Sequence, residues 1–160
     1  TKKPEVIRKS KSGIVVKGIH DLAVRYAKCC SPVPGDEIVG FVTRGRGITI
    51  HRTDCINMMN LPEDEKARLI EAEWQSDNAQ ETYATELEIF TTNRVGLLVD
   101  VSKVLTDANI DIKSLTSRVG KNEKATITVS FDIHNKEELS SLVSKLRKIS
   151  GVIDIERAQG

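Results

Sequence analysis

Short apolar runs and alternating segments fill the first half of the chain, and turn-forming residues separate them. This pattern is typical of a small β-rich domain. Proline lacks an amide donor, so the Ser-Pro-Val-Pro-Gly segment at 31–35 predicts a turn, and the Gly-Arg-Gly segment at 45–47 predicts a hairpin. Thr53 or Asp54 is expected to cap a short helical turn through Met58. The predicted strands cover residues 14–16, 22–26, 37–42, 48–51 and 69–74.

The second half alternates strand and helix patterns in the order βαββαβ. Apolar residues recur at helical spacing after Asn93 and again after Asn135, and each asparagine is expected to cap a helix. Gly151 is expected to end the second helix. This split order predicts a four-stranded antiparallel sheet with both helices on one face and the other face open for a partner. The predicted strands cover residues 83–91, 110–119, 125–133 and 152–155.

At 160 residues, with 39% hydrophobic and 29% charged positions, the chain has the composition of a soluble globular protein. No apolar run approaches the ~20 residues that span a bilayer, so no membrane segment is expected. The first residues contain neither an initiator Met nor a signal-type stretch, which suggests a piece of a longer cytoplasmic protein. The predicted organisation is a disordered or linker segment at 1–12, a cysteine-containing domain at 13–76, a linker at 77–82 and a second domain at 83–158.

Positive charge is concentrated in the first part of the chain, although the formal net charge is only +1. Residues 1–60 hold 11 Lys/Arg against 5 Asp/Glu, whereas residues 77–160 hold 11 against 13. This asymmetry suggests a polyanionic partner for the first domain. A solvated basic tail explains it equally well, because several of these cations lie within residues 1–12.

All three cysteines lie in the first predicted domain, together with a histidine four residues before the last of them. Soft thiolate and imidazole ligands in such a set are typical of a tetrahedral zinc site. Adjacent cysteines are unusual in zinc sites, because neighbouring side chains on a strand point to opposite faces, so buried apolar thiols are an equal alternative. The odd number of cysteines and the lack of a secretory signal argue against a disulfide, and no third group completes a catalytic Cys-His pair. The candidate ligands are Cys29, Cys30, His51 and Cys55.

Three arginines surround the glycine turn of the predicted hairpin: Arg44, Arg46 and Arg52. Guanidinium groups pair with phosphate oxygens, and the glycines let a backbone approach closely. Few aromatic residues lie nearby for base stacking, so the pattern favours RNA contact through the backbone over base-specific readout. An ordinary solvated hairpin tip is the alternative.

The segment between the first strand and helix of the second domain is a candidate ligand site. A glycine in the first helical turn leaves amide groups accessible at the positive end of the helix dipole, where a small anionic or zwitterionic ligand fits. Helix capping and packing alone are the alternative. The residues concerned are Asn93, Arg94, Val95, Gly96, Leu97 and Leu98.

These motifs resemble one family. Residues 27–38 (AKCCSPVPGDEI), 43–47 (TRGRG) and 51–55 (HRTDC), with Gly40, resemble the conserved-cysteine domain of long RelA/SpoT-type (p)ppGpp synthetase/hydrolases, also called the zinc-finger or ribosome-intersubunit domain. Residues 93–98 (NRVGLL), within the βαββαβ order, resemble the ACT domain that ends the same proteins. The resemblance implies an α+β fold, in which a small cysteine-containing β-rich domain precedes a ferredoxin-like ACT domain.

The resemblance also implies a function. Such a fragment has no catalytic centre, and its parent is a GTP pyrophosphokinase and (p)ppGpp hydrolase. In that family the two domains contact the ribosome and its RNA when uncharged tRNA occupies the A site, and they relay amino-acid starvation to the catalytic domains in the stringent response. Family ACT domains dimerise, and some bind branched-chain amino acids. Cys29, Cys30, Asp54 and Cys55 match the regulatory motif, with His51 as a fourth metal ligand.

One position departs from the family pattern. The ACT loop often begins with Asp where this chain has Asn93, which removes a charge that would hold the ammonium group of an amino acid. The leading hypothesis is a ribosome-binding allosteric module. The alternatives are an amino-acid-binding ACT sensor and a metal- or thiol-based redox sensor.

Overall fold

The computed structural model describes residues 14–16, 23–45, 47–75 and 81–157. The predicted segment 1–12, most of the predicted linker 77–82 and Arg46 lie outside these residues. The chain forms two compact units, of which the first consists mainly of residues before 80 and the second of residues 80–159 together with residues 33–35. Among the helices of the described part, none combines the length and apolar character that crossing a bilayer requires.

The first unit is built on one mixed sheet with the strand order β1-β5-β3-β4-β2. Strand β2 runs parallel to β4, and the other neighbours pair antiparallel. A one-turn helix and a 3₁₀ turn connect β4 to β5. In chain order the elements are β1 (Ile14–Val16), β2 (Val24–Tyr26), β3 (Ile38–Thr43), β4 (Gly47–Arg52), α1 (Ile56–Met59), the 3₁₀ turn (Lys66–Arg68) and β5 (Leu69–Trp74).

The apolar side chains of this sheet form a core that includes Ile14, Ile48 and Ile50. A Cβ on Gly40 would lie 2.7 Å from the Ile70 side chain, so this position of β3 has room only for glycine. Because side chains alternate along a strand, every second residue of these strands, such as Ile48 and Ile50 in β4, faces the core, and the residues between them face away from it.

The second unit has the strand order β7-β8-β6-β9, with all neighbouring strands antiparallel. This is the order expected of a split βαββαβ fold, and the predicted α+β class is confirmed. Its elements are β6 (Tyr83–Thr92), α2 (Leu97–Asp107), β7 (Ile112–Val119), β8 (Lys124–Ile133), α3 (Lys136–Arg147) and β9 (Val152–Arg157).

Alternate residues of the two central strands β6 and β8 are buried, as the sequence pattern predicts. The helices contribute buried residues at helical spacing, namely Leu97, Val101 and Leu105 from α2 and Leu139, Leu142 and Leu146 from α3. On the opposite side of the sheet the intervening residues are largely polar, and the Ser130 hydroxyl lies 3.5 Å from the carboxylate of Glu86. The sheet of the second unit therefore has one buried apolar face, on the side of the two helices.

Two predicted helix caps are wrong, and one is confirmed. Helix α1 begins after Cys55, without a side-chain cap, rather than at Thr53 or Asp54. Helix α2 begins after Gly96, whose φ of 83° is left-handed, so Asn93 lies three residues too early to cap it. The Asn135 side chain accepts a hydrogen bond from the Glu138 amide at 2.8 Å and caps α3 as predicted.

Candidate metal centre

The candidate ligands come from three neighbouring segments of the first unit. The turn after β2 carries Cys29 and Cys30, the end of β4 carries His51, and Cys55 precedes α1. The Ala27 amide donates to the Ile50 carbonyl at 2.9 Å, which holds the start of this turn against β4. Because Cys29 and Cys30 lie in a turn, their side chains do not have to point to opposite faces as they would on a strand. The sequence-based objection to adjacent zinc ligands therefore does not apply.

The ligand atoms of these four residues converge within 4.8 Å of one another. The Cys29 sulfur lies 3.4 Å from His51 Nδ1 and 3.6 Å from the Cys55 sulfur. The Cys30 sulfur lies 3.8 Å from the same histidine nitrogen. All three cysteines are free thiols.

These separations fit a tetrahedral zinc ion. With Zn–S near 2.3 Å and Zn–N near 2.05 Å, tetrahedral angles place two sulfurs about 3.8 Å apart and a sulfur and a nitrogen about 3.6 Å apart. The observed distances of 3.4, 3.6 and 3.8 Å agree to within a few tenths of an ångström. The donor set of three thiols and one imidazole is one that structural zinc sites use. The residues present therefore fit the metal.

Burial shifts the pKa values of two of the candidate ligands, Cys30 and His51. Cys30 and Cys55 are fully buried, and desolvation together with the neighbouring thiols Cys29 and Cys55 raises the pKa of Cys30 to about 12. Burial lowers the pKa of His51, which keeps the imidazole neutral and its lone pair available. Thiolates at such a site require a cation to compensate their charge.

Arg52 is buried and contacts the cysteine cluster through its backbone amide, whereas Arg44 lies on the surface. Arg52 is 4% exposed, and its backbone amide donates to the Cys30 sulfur at 3.3 Å. Its Nε lies 3.5 Å from the Asp54 carboxylate. The prediction that Arg52 is an RNA-facing cation is therefore wrong for this structure. The alternation along β4, which buries Ile48 and Ile50, was the sequence signal for its burial.

Arg44 lies on the surface, at the turn between β3 and β4. Gly45 follows it with a φ of 71°, and a Cβ there would meet no atom within 4 Å. The hairpin tip is thus open to an approaching backbone, as the glycine turn suggested.

The predicted ligand loop of the second unit surrounds the start of α2. Gly96 takes the left-handed conformation, Val95 is 97% exposed and Leu97 is buried beneath the helix. The Asn93 amide donates to the Glu123 carbonyl at 2.7 Å. No side chain caps α2, so the amides of its first turn are available to an anion.

Arg94 clamps this loop, a role that the sequence pattern did not reveal. Its guanidinium donates to the Ser150 carbonyl at 2.6 Å, to the Val95 carbonyl at 3.1 Å and to the Asp100 carboxylate at 2.6 Å. A Cβ on Gly151 would lie 3.3 Å from Arg94 Nε. Gly151, in the turn between α3 and β9, therefore makes room for this clamp because it has no side chain.

Both units match known domain families. Residues 14–75 match the RelA/SpoT RIS domain, and residues 79–157 match the ACT domain. The crystal structure of the ACT domain from GTP pyrophosphokinase of Chlorobium tepidum is 22% identical, with a TM-score of 0.43, and the match covers 48% of this chain and 99% of that one.

Curated relatives match across both units. A GTP pyrophosphokinase of Streptomyces coelicolor is 37% identical over 145 residues, covering 91% of this chain and 17% of the relative. The GTP pyrophosphokinase of Escherichia coli K12 is 34% identical over 158 residues, covering 98% of this chain and 21% of the relative. The chain thus spans about a fifth of the length of these relatives. The chain belongs to the RelA/SpoT family, and it consists of that family's regulatory RIS domain followed by its ACT domain.

Proposed function

We propose that this chain is the regulatory C-terminal module of a (p)ppGpp synthetase/hydrolase, which contacts ribosomal RNA through its RIS domain and relays amino-acid starvation to the catalytic domains through its ACT domain. The observation that carries the proposal is the succession of the two domains, matched at 34–37% identity by chains named GTP pyrophosphokinase. The pyrophosphokinase and hydrolase activities belong to the parent protein. The ribosome carrying uncharged tRNA is the partner, which places the chain in the cytoplasm.

Zinc is the proposed structural ion of the RIS domain, held by Cys29, Cys30, His51 Nδ1 and Cys55. When bound, it supplies positive charge that keeps the thiols ionised, and it cross-links three segments of a small domain. The neighbouring residues prepare the site, since the Arg52 amide donates to the Cys30 sulfur and the buried imidazole of His51 stays neutral. A domain of about 60 residues buries little apolar surface, so such a tie contributes much of its stability.

Metal analysis tests the zinc assignment directly. Protein purified under a reductant, without added metal, should contain about one zinc per chain. A Cys55→Ser variant should lose most of it, whereas Met58→Leu, which changes a residue packed against the cluster without removing a ligand, should retain it. Less than about half a zinc per chain in the unmodified protein contradicts the assignment.

Ribosome co-sedimentation tests the RNA contact. Ribosomes loaded with uncharged tRNA should pellet the unmodified chain, and Arg44→Glu combined with Arg46→Glu should abolish pelleting because like charges repel the phosphate backbone. Lys121→Glu is the matched control, since this exposed lysine lies in the turn between β7 and β8 of the other domain. Equal pelleting of all three proteins contradicts the proposed contact.

A branched-chain amino acid at the start of α2 is a second candidate function for the ACT domain. The uncapped first turn after Gly96 offers amides to a carboxylate, and Val95 and Leu98 present exposed apolar surface beside it. Calorimetry with valine, isoleucine and leucine should register binding at millimolar ligand. Asn93→Asp should tighten it by adding a charge for the ammonium group, while an absence of heat for both proteins removes this candidate.

Homodimerisation through the ACT domain completes the proposal. Val95, Leu98 and Val99 are 97%, 41% and 67% exposed; Val95 lies just before α2, and Leu98 and Val99 lie in its first turn. Exposed apolar residues grouped in this way favour pairing with another protein surface. A second copy of the chain is the proposed occupant, because equivalent patches pair in symmetric dimers.

A further inference from the structure

A cavity of about 340 Å³ lies in the ACT domain between helix α3 and the strands β6 and β9. None of the described residues that line it belongs to α2 or to the loop at 93–98, so it is separate from the candidate amino-acid site. We propose that this cavity, here called the α3–β9 cavity, binds a small aliphatic carboxylate, with the hydrocarbon chain in its apolar part and the anion facing two cations at one end. The inference goes beyond the proposed function and does not rest on the ribosome contact.

The interior of the α3–β9 cavity is apolar. Leu87 of β6 and Ile155 of β9 are buried on the helix side of the sheet, and Leu139 and Val143 come from α3. The two helical residues are four positions apart and therefore lie on one face of the helix. A ligand that fills this part of the cavity must be largely hydrocarbon, because any polar group placed there would lose its hydration.

Two cations lie together at one end of the cavity. Lys136 is the first residue of α3, and Arg157 is the last residue of β9. Helix α3 packs against β9, and the chain reverses direction between them, so the start of the helix and the end of the strand are at the same end. Arg157 pairs in register with Leu87, which places its side chain on the same face of the sheet as that buried leucine, and its Nε is buried. The cavity is thus apolar along its length and positive at one end.

The charge of the lining selects the class of ligand. Among the described residues that line the cavity, none carries a carboxylate. The ammonium group of an amino acid would meet only like charges here, whereas a simple carboxylate would be attracted. The described lining also contains no aromatic ring on which a nucleobase could stack. A ligand with one anionic group, no cationic group and an aliphatic chain therefore fits best.

The size of the cavity sets the length of that chain. An apolar cavity of about 150 Å³ holds one benzene molecule, so a volume of about 340 Å³ has room for an acid of about eight carbons. From Lys136 to Ser144, which also lines the cavity, α3 rises about 12 Å, and this gives an extended chain room beside the helix. Ser140 and Ser144 are exposed residues of the lining and therefore border its opening to solvent.

Calorimetric titration of the 160-residue chain with butanoate, hexanoate and octanoate tests the proposal. Octanoate should bind with a dissociation constant of about 0.1–1 mM. Each pair of methylenes removed from the chain should weaken binding about fifteenfold, because less apolar surface is buried. Octanol, which has the same chain without the charge, should bind about fivefold more weakly. In differential scanning calorimetry, saturating octanoate should raise the unfolding temperature of the ACT domain, since the ligand binds only the folded state.

Substitutions test the location. Val143→Trp puts an indole ring into the cavity and should weaken octanoate binding at least tenfold, on the order of the loss of two buried methylenes. Val119→Trp, which adds the same ring at an exposed position of β7, is the matched control. Lys136→Gln should weaken octanoate about two- to fivefold and leave octanol unchanged, whereas Lys145→Gln, on α3 but outside the lining, should change neither. Ser144→Phe repeats the blocking experiment from the opening if Val143→Trp does not fold.

Each outcome supports or overturns the proposal. Octanoate that neither binds nor raises the unfolding temperature overturns it, as does equal binding to Val143→Trp and Val119→Trp. Equal affinities for octanol and octanoate overturn the carboxylate as the recognised group. Binding of valine that Val143→Trp abolishes and Asn93→Asp leaves unchanged assigns the cavity to amino acids and overturns the ligand class. None of these measurements involves RNA, so the proposed ribosome contact is decided by its own test.

Discussion

Removal of zinc from the cysteine cluster should destabilise the RIS domain and leave the ACT domain unchanged. The ion would join residues that lie 26 positions apart, as Cys29 and Cys55 do. A covalent cross-link closing a loop of that length lowers the entropy of the unfolded chain, which raises the free energy of the unfolded state by about 3.5 kcal/mol at room temperature. A metal tie acts in the same way, so we expect the free energy of unfolding of the RIS domain to fall by about 3 kcal/mol.

Differential scanning calorimetry is the appropriate assay, because the two domains have separate cores. For a domain of about 60 residues, a loss of ~3 kcal/mol lowers the midpoint of thermal unfolding by about 12–24 °C. All three cysteines lie in the RIS domain, so the ACT transition is an internal control in the same sample. Cys55→Ser should reproduce the effect of a chelator, and Met58→Leu should not.

The reasoning is refuted if the chelator removes the metal, as metal analysis would verify, and the RIS transition stays where it was. In that case the four side chains would be a buried thiol cluster that packs as well without the ion, which is the alternative that the sequence left open. Cobalt in place of zinc provides an independent check. The visible absorption of a tetrahedral thiolate complex should appear in the unmodified chain and be lost in Cys55→Ser.

Three further outcomes are expected. Zinc binding in weakly buffered solution near pH 7 should release protons, because burial raises the pKa of Cys30 to about 12 and the metal takes the thiolate; no pH change on titration contradicts this. Arg94→Ala should lower the urea midpoint of the ACT domain by the equivalent of about 1–2 kcal/mol through loss of its bond to Asp100, and an unchanged midpoint shows that the clamp is dispensable. Gly151→Ala should cost about 1–2 kcal/mol in the same assay, because its φ is 97° and a Cβ would lie 2.9 Å from Thr92 Oγ1, whereas strain-free folding would leave the midpoint in place.

The secondary structure was largely predictable because alternation and helical spacing report burial directly. Residues of β6 and β8 alternate between buried and exposed or partly exposed positions over ten residues each. A strand buries every second side chain on one face of the sheet, so this spacing of apolar residues predicts strands with one buried face. Helix starts were less predictable. Asn93 has the side chain of a cap, but Gly96 takes the left-handed conformation three residues later, and nothing in the local pattern reveals which residue turns the chain.

The candidate sites divide in the same way. The four candidate metal ligands were identified by residue type, but their convergence depends on a turn at Cys29 and Cys30 that a strand-based expectation missed. Arg52 was assigned to the surface by its charge, although it continues the buried alternation of Ile48 and Ile50 along β4 and is 4% exposed in the structure. Arg94 bonds to a carbonyl 56 residues away, a contact between distant segments that no local pattern contains.

The start of α2 offers the test of the proposed dimer. Val99 is 67% exposed beside Leu98 and Val95, so a carboxylate at this position costs the monomer little but must be desolvated in an interface. Val99→Asp should therefore raise the dimer dissociation constant at least tenfold, equivalent to about 1.4 kcal/mol, in sedimentation equilibrium. Val119→Asp is the control, because Val119 is 60% exposed at the far end of β7 and belongs to no such group. Equal dissociation constants for the two variants would place the interface elsewhere. A selective effect of Val99→Asp would place the dimer interface beside the loop where an amino acid would bind. Binding of the amino acid would then change the affinity of the dimer, and dimerisation would change the affinity for the amino acid by the same factor.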